Sequence, residues 1–380
     1  MSSNKPLIIV GGGLAGSLAA LAIAEARPDV PLLLVEAGDT FGGNHTWSYF
    51  DGDVEGDGKK LVEAMKPIRW DRHSVRFPGR YRKLGFGYNS IHSSNLDALV
   101  RERLAPTQYR LGTPVAALSD DGITLADGTD IAASGVIDAR GPDGPMPGIE
   151  LAWQKFVGVE YDAPGHGLAS PIIMDATVDQ SDGYRFVYSL PFSEDRLLVE
   201  DTYYTNGPAL DGDQVTKRIA DYFAKQGWKG TPSRQEHGVL PILIGGDPDI
   251  FWPRDEPVAR LGLKGGFFHP VTGYSLPQAA ANAIAMARQA DLSGPALARW
   301  TRSQFIDQWR SDGFYRLLNR MLFLAARPDE RVRIFAHFYR LKDGLVSRFY
   351  AGKLTLADKL RILIGKPPIP IFRALKVIIK

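Results

Sequence analysis

The sequence predicts an α/β fold, in which a Rossmann-like dinucleotide-binding domain is interrupted by an inserted β-rich substrate domain and followed by a helical C-terminal region. Three observations lead there. The apolar run Leu7 to Val10 ends in Gly11-Gly12-Gly13-Leu14-Ala15-Gly16, then an alanine- and leucine-rich segment and a second apolar run, Leu32 to Val35. The middle of the chain carries strand-type segments at 156–161, 184–190 and 196–204. From Pro295 onward Phe, Leu, Tyr and Trp recur at helical spacings.

The first unit reads as strand, helix, strand. Leu7 to Val10 is uniformly apolar, as a buried parallel strand requires, and Leu14 to Ala26 is built from good helix formers. From Ile68 to Asn89 aromatic and basic residues alternate around Gly79, Gly85 and Gly87, which predicts extended structure. Asn95 to Leu104 reads as a helix with Ser94 as its N-cap. Tyr109 to Ile137 reads as short strands with turns at Asp121-Gly122 and Asp127-Gly128. Helices follow at Asp213 to Lys225 and Ser275 to Gln289, with a strand at Val239 to Ile244. This order divides the cofactor domain into 1–66, 93–150 and 255–292. The substrate domain takes 67–92 and 151–254, and the helical region 293–380.

Composition excludes several classes of function. With 45 Lys and Arg against 43 Asp and Glu the net charge is +2, which offers nucleic acid no strong field. The absence of cysteine excludes disulfides, thiolate metal sites and a cysteine nucleophile, and fits a reducing compartment. The N-terminus does not read as a signal peptide, and no stretch is apolar enough to span a bilayer.

Gly11, Gly13 and Gly16 satisfy G-x-G-x-x-G between a strand and a helix. Such glycines let the backbone approach a pyrophosphate, with Leu14 and Ala15 opening the helix whose N-terminus faces the anion. The second strand ends at Glu36, placed to accept ribose hydroxyls. Gly42-Gly43-Asn44 follows closely, and Val136 to Gly141 is a late strand running into a small-residue turn at Asp138, Arg140 and Gly141. A nucleotide domain interrupted in this way favours a resident FAD over an exchangeable NAD, as in the glutathione-reductase/hydroxylase-like class. An ordinary turn remains the other reading of Asp138 to Gly141.

Four further segments carry a resemblance. They are Gly42 to Ser48 (GGNHTWS); Met174 to Gln180 with Gly183 to Pro191 (GYRFVYSLP); Leu197 to Tyr204 (LLVEDTYY); and Gly266 to Pro277 (GFFHPVTGYSLP). Their order and spacing closely resemble the FAD-dependent bacterial lycopene β-cyclases of carotenoid biosynthesis, from Leu7 to the C-terminal region. One departure is Gly262-Leu263-Lys264-Gly265-Gly266, where many related flavoproteins carry a Gly-Asp pair. The resemblance implies conversion of the ψ-ends of lycopene into β-rings, giving γ-carotene and then β-carotene. That reaction is an isomerisation requiring reduced FAD, with NADPH or NADH as the reductant. It also implies flavin contacts at Gly43, Asn44, Pro270, Thr272, Gly273 and Tyr274.

Ring closure at an isoprenoid end needs a strong acid, cation stabilisation, a base and dry walls. Protonation at C2 leaves a cation at C1; attack by the C5–C6 double bond moves it to C5; loss of the C6 proton gives the β-ring. Glu200 ends the apolar run Leu197-Leu198-Val199, where burial would raise a carboxyl pKa, and the resemblance makes it the first candidate for acid/base. Position alone also allows Glu200 to satisfy a buried backbone or arginine partner. Asp201 is adjacent but points to the opposite face of a strand. Glu236 is the third candidate, although its position favours a solvent-facing residue. His45 and His269 read as packing or flavin-contact residues, and no metal-ligand spacing is present.

Two rival readings share this architecture: an FAD-dependent hydroxylase or reductase of another isoprenoid, and a catalytically inactive flavin-binding membrane partner. Lycopene resides in bilayers, so the enzyme is expected in the cytoplasm, peripherally attached to the inner membrane, with room for association with other carotenoid enzymes. Lys353 to Lys380 carries seven basic residues against Asp358 alone, with interspersed Leu, Ile, Phe and Val. This predicts a helix lying on an anionic lipid surface, kinked at Pro367, Pro368 and Pro370. The alternative is a helix whose apolar face docks on the core.

Overall fold

A five-stranded parallel sheet forms the floor of the N-terminal unit, in the order Ala259–Arg260, Gly135–Asp138, Leu7–Val10, Leu32–Val35, Tyr109–Arg110. The computed structural model describes residues 5–142, 144–181, 183–364 and Arg373. Every residue of Leu7–Val10 and Leu32–Val35 is buried, as their unbroken apolar sequences require. The helix Leu14–Ala26 lies against the sheet and against Leu276–Ala287. Leu18, Ala19, Ala280 and Ala283 are almost inaccessible there, their small side chains letting the helices close together.

A seven-stranded sheet stands beside this unit, in the order Thr231–Gly246, Ile149–Asp162, Arg196–Thr205, Tyr184–Pro191, Ile172–Asp175, His73–Phe77, Arg80–Leu84. The pairing of Ile172–Asp175 with His73–Phe77 is parallel and the others are antiparallel. The helix Gly212–Lys225 covers one face, burying Val215, Ile219 and Phe223 against Val157 and Val199. On the other face Tyr184 stacks on Phe335 of the helix Arg331–Phe338, ring centroids 4.0 Å apart. A three-stranded sheet, Thr46–Phe50, Tyr88–His92 and Ile68–Trp70, joins the two bodies.

The expected strand at 239–244 extends over Thr231–Gly246, because it pairs with Ile149–Asp162 along most of its length. The helix expected at 95–104 spans Ser93–Arg103, so Ser94 lies inside its first turn and the N-cap is His92, without a side-chain cap bond. A helix at Gly56–Glu63 was not expected: its Asp, Gly and Lys content conceals the buried pair Leu61 and Val62. Of the basic C-terminal segment, Leu356–Leu363 is helical, its first turn capped by Thr355 and Asp358. The expected kink at Pro367, Pro368 and Pro370 lies outside the described residues.

Candidate functional site

The glycine-rich turn builds one end of a groove. Gly11 has φ +105°, and a Cβ there would lie 2.6 Å from the Arg140 nitrogen. At Gly16 a Cβ would lie 2.0 Å from the Gly11 carbonyl oxygen. These two glycines let the helix and the late turn close on the first strand. Gly13 differs: a Cβ there would meet nothing within 4 Å. It faces the open groove, together with Gly11, Leu14, Ala15, Glu36, Gly43 and Gly141. Glu36 Oε2 accepts from the Gly12 amide at 2.6 Å and Oε1 from the Gly38 amide at 2.7 Å, which fixes the carboxylate beside the turn. Each oxygen keeps a lone pair for a ribose hydroxyl. This cradle, the aligned helix N-terminus and the fixed Glu36 fit an FAD dinucleotide.

The remaining expected contacts divide. Arg140 lines the groove, whereas Asp138 does not: its carboxylate accepts from Arg140 Nη2 at 2.8 Å and pairs with Lys264 at 3.1 Å. In the departing segment Gly262 and Leu263 still line the groove. Gly273 and Tyr274 line it too, but Pro270 does not, and Thr272 faces a second cavity. The Asn44 side chain is turned to the seven-stranded sheet, donating to the Gln235 carbonyl at 2.8 Å and accepting from Arg234 at 2.8 Å. His45 lines the groove, while His269 is buried, its Nε2 3.2 Å from the Phe349 carbonyl.

The groove ends against the face of the sheet that carries Gln154, Phe156, Tyr188, Leu198 and Glu200. Glu200 faces the open cavity and is enclosed by protein elsewhere. Its carboxyl is pushed up to about 8, by burial first and by the negative charge of Glu236 second. Thr202 Oγ1 donates to its Oε1 at 2.8 Å. Asp201 occupies the opposite face, fully buried, held by Arg185 Nε at 2.9 Å and Nη2 at 2.7 Å and by Arg218 at 3.4 Å. The structure therefore brings Glu200 and Glu236 to one face and sets Asp201 apart. Glu236 is 3 % exposed, against the expectation of a solvent-facing residue, because the longer strand carries it into the sheet interior.

The second cavity lies between the seven-stranded sheet and the C-terminal helices. Its walls are mostly apolar, formed by Met174, Tyr204, Phe335, Phe338, Tyr339 and Ile362 among others, with Gln154, Thr272, Asn319 and His337 as polar members. Gln154, Tyr188 and Tyr274 belong to both cavities. The hydroxyls of Tyr188 and Tyr274 are 3.1 Å apart, and those of Tyr274 and Tyr88 3.2 Å. At the far end Leu363 and Ile364 form part of the wall and are also exposed at the protein surface.

The family model described as "Lycopene cyclase protein" matches residues 6–376. This chain belongs to the lycopene cyclase family. It is 43% identical to a lycopene beta-cyclase from Pantoea ananas over 100% of this chain and 99% of that one. It is 45% identical to one from Paracoccus sp., covering 97% of this chain and 96% of the relative. A solved flavin-dependent brominase, Bmp2, shares the fold with a TM-score of 0.63 at 13% identity, over 94% of this chain and 97% of that one. Within this lycopene cyclase, sequence reasoning missed Gly158, Arg234 and the pairing of Tyr188 with Tyr274, although Tyr274 was a flavin-contact candidate and the aromatics around 184–192 were candidates for a tunnel or cation site. The pairing depends on strand register and long-range packing, and the local signal was the alternation of Tyr184, Phe186 and Tyr188.

Proposed function

We propose that this lycopene cyclase closes β-rings at the ψ-ends of lycopene, with FAD in the groove, Glu200 as the acid and the aromatic cavity as the polyene tunnel. The observation that carries the reading is the position of Glu200. A carboxyl that stays protonated near neutral pH stands in the dinucleotide groove opposite Tyr188, which the groove shares with the apolar cavity. A carboxylic acid held neutral by burial can deliver a proton to a terminal alkene. The apolar walls exclude water, which would otherwise trap the cation as an alcohol. The faces of Tyr188 and Tyr274 offer cation–π stabilisation beside Glu200. Reduced FAD would supply an electron-rich ring that favours positive charge nearby, and NADPH or NADH would supply its electrons.

Lycopene reaches the tunnel from a bilayer in this reading. No helix among the described residues is long and apolar enough to cross a membrane. The helix Leu356–Leu363 turns Leu356, Leu360 and Leu363 outward, with Ile364 beside them, at 45–74 % exposure. These residues recur at i, i+4 and i+7, one stripe beside the tunnel wall. Lys359 and Arg361 on the same helix would meet anionic headgroups. The outward stripe favours membrane contact over docking of this helix face on the core.

The test is anaerobic incubation of the purified protein with lycopene in lipid and reduced FAD, with products separated by chromatography. Isomers of the substrate are expected without matching reductant consumption. NAD(P)H oxidation in step with product would instead assign a hydroxylase or reductase.

A further inference from the structure

A half-buried carboxyl, Glu200, and a buried one, Glu236, flank one glycine. Gly158 pairs with Glu200 on one neighbouring strand and with Glu236 on the other. Directly paired residues face the same side of a sheet, so all three positions share the face that meets the cavity. A Cβ at position 158 would lie 3.3 Å from Glu236 Cγ, 3.5 Å from Glu236 Oε1 and 3.2 Å from Leu198 Cδ1. Glu236 therefore folds over the glycine towards the strand of Glu200. Its Oε1 is buried without a close hydrogen-bond partner among the described residues, while Oε2 accepts from Arg234 Nη1 at 3.4 Å and Thr46 also hydrogen-bonds the carboxylate. A buried, unsatisfied carboxylate oxygen beside a second carboxyl is costly and calls for a functional reason.

We propose that Glu200 and Glu236 work as one unit across Gly158, holding a single proton between them at neutral pH, with Glu236 as the positioning residue that keeps this proton on Glu200. The proposal rests on Glu200 being the acid. Arg234 lies 3.4 Å from Glu236 Oε2, although it also bonds Glu160 Oε2 at 3.1 Å, and a guanidinium at that place favours the charge on Glu236 over Glu200. Around Glu236 and Arg234 lie Glu160, itself paired with Arg196 and near His92, together with His45 and His237. Around Glu200 lie Tyr88, Tyr188 and Thr202, with Asp201 on the opposite face neutralised by Arg185 and Arg218. Burial raises both carboxyls; Glu236 raises Glu200 further, and Arg234 lowers both.

The arrangement closes a proton cycle. Glu200 gives its proton to the terminal alkene carbon, forming a C–H bond and leaving two carboxylates beside a carbocation. The pair passes from one negative charge to two at the moment positive charge appears, which favours the cation. After ring closure a C–H bond breaks and its proton returns to the pair. Nothing is oxidised or reduced.

The experiment is the pH profile of the initial cyclisation rate in parent, Glu236→Gln and Arg234→Gln. Glu200 must be protonated, so activity falls as pH rises through its titration. Removing the like charge lowers that titration, and the alkaline limb of Glu236→Gln is expected to move down by about one pH unit. Removing Arg234 moves the limb up. Gly158→Ala, which pushes Glu236 aside, shifts it in the same direction as Glu236→Gln. It serves as the second variant if Glu236→Gln does not fold. Infrared titration of the buried protonated carboxyl band reads the same shifts without turnover. A limb that stays at the parental pH in the folded variant, at whatever rate, overturns the proposal. Parental rates in Glu200→Gln overturn instead the reading of Glu200 as the acid, and are seen without Glu236→Gln.

Discussion

Tyr188 stands directly opposite Glu200 on the adjacent antiparallel strand; Glu200 lines the groove, and Tyr188 lines both the groove and the second cavity. The Tyr188 hydroxyl is engaged with Tyr274, which leaves its ring face as the surface presented to whatever Glu200 protonates. Ring and hydroxyl can be separated. Tyr188→Phe is expected to keep the rate within about tenfold, since one buried hydrogen bond contributes about 0.5–1.5 kcal/mol. Tyr188→Leu loses the π face, worth about 2 kcal/mol when desolvated, and is expected to be roughly 30-fold slower than Tyr188→Phe. Equal rates in the two variants would remove the ring from the stabilisation of charge.

Glu200→Gln keeps the shape of the acid and removes its transferable proton. Cyclisation is expected to fall by about 10²–10⁴-fold. Stability should move the other way. Between the ordinary carboxyl range and about 8 the folded protein holds a proton on Glu200 that the unfolded chain has lost, so stability declines as pH rises through this window. The glutamine variant lacks this decline and should be at least as stable as the parent at pH 8, by thermal unfolding. A variant both inactive and strongly destabilised would point to a structural role.

The phosphate cradle was legible in the sequence because its geometry is local: six residues, one turn and the start of one helix. The parallel strands were legible because burial on both faces demands unbroken apolar runs. Glu200 was singled out by the resemblance together with the apolar run before it, since position alone fitted a buried structural partner as well. Its alignment with Glu236 could not be read, since the two lie on strands joined only through the register of a third. The length of Thr231–Gly246 was hidden for a related reason. Its first half is polar and becomes strand by pairing with Ile149–Asp162 rather than by propensity. The tunnel draws its wall from segments as distant as Met174 and Ile364.

Gly13→Val places a branched side chain in the open groove, whereas Gly16→Val drives one into the Gly11 carbonyl. The first is expected to fold with a parental circular dichroism spectrum and to lose FAD, with occupancy by absorbance below about a tenth of parental, because the cradle must admit a phosphate at van der Waals distance. The second is expected to lose the fold of the N-terminal unit as well. Full flavin occupancy in folded Gly13→Val would move the pyrophosphate elsewhere.

Replacing Leu356 and Leu360 together by serine removes apolar surface that faces solvent and lies outside the tunnel wall, so folding should be unaffected. Sedimentation with anionic liposomes is expected to weaken at least tenfold, each leucine contributing about 1 kcal/mol or more on entering the acyl boundary. Activity on detergent-dispersed lycopene should persist. Parental sedimentation would assign membrane contact to another surface.

Because Gln154, Tyr188 and Tyr274 form the border between the two cavities, the residues beyond that border can drift without disturbing the groove. Ile334, Phe335 and Phe338 line the tunnel and lie outside the groove, on a helix that packs across the sheet. Exchanging them would alter the length and girth of the pigments admitted while affinity for the dinucleotide stays constant. Descendants of this scaffold could thus acquire new isoprenoid chains one wall residue at a time, with the ring-closing chemistry inherited intact.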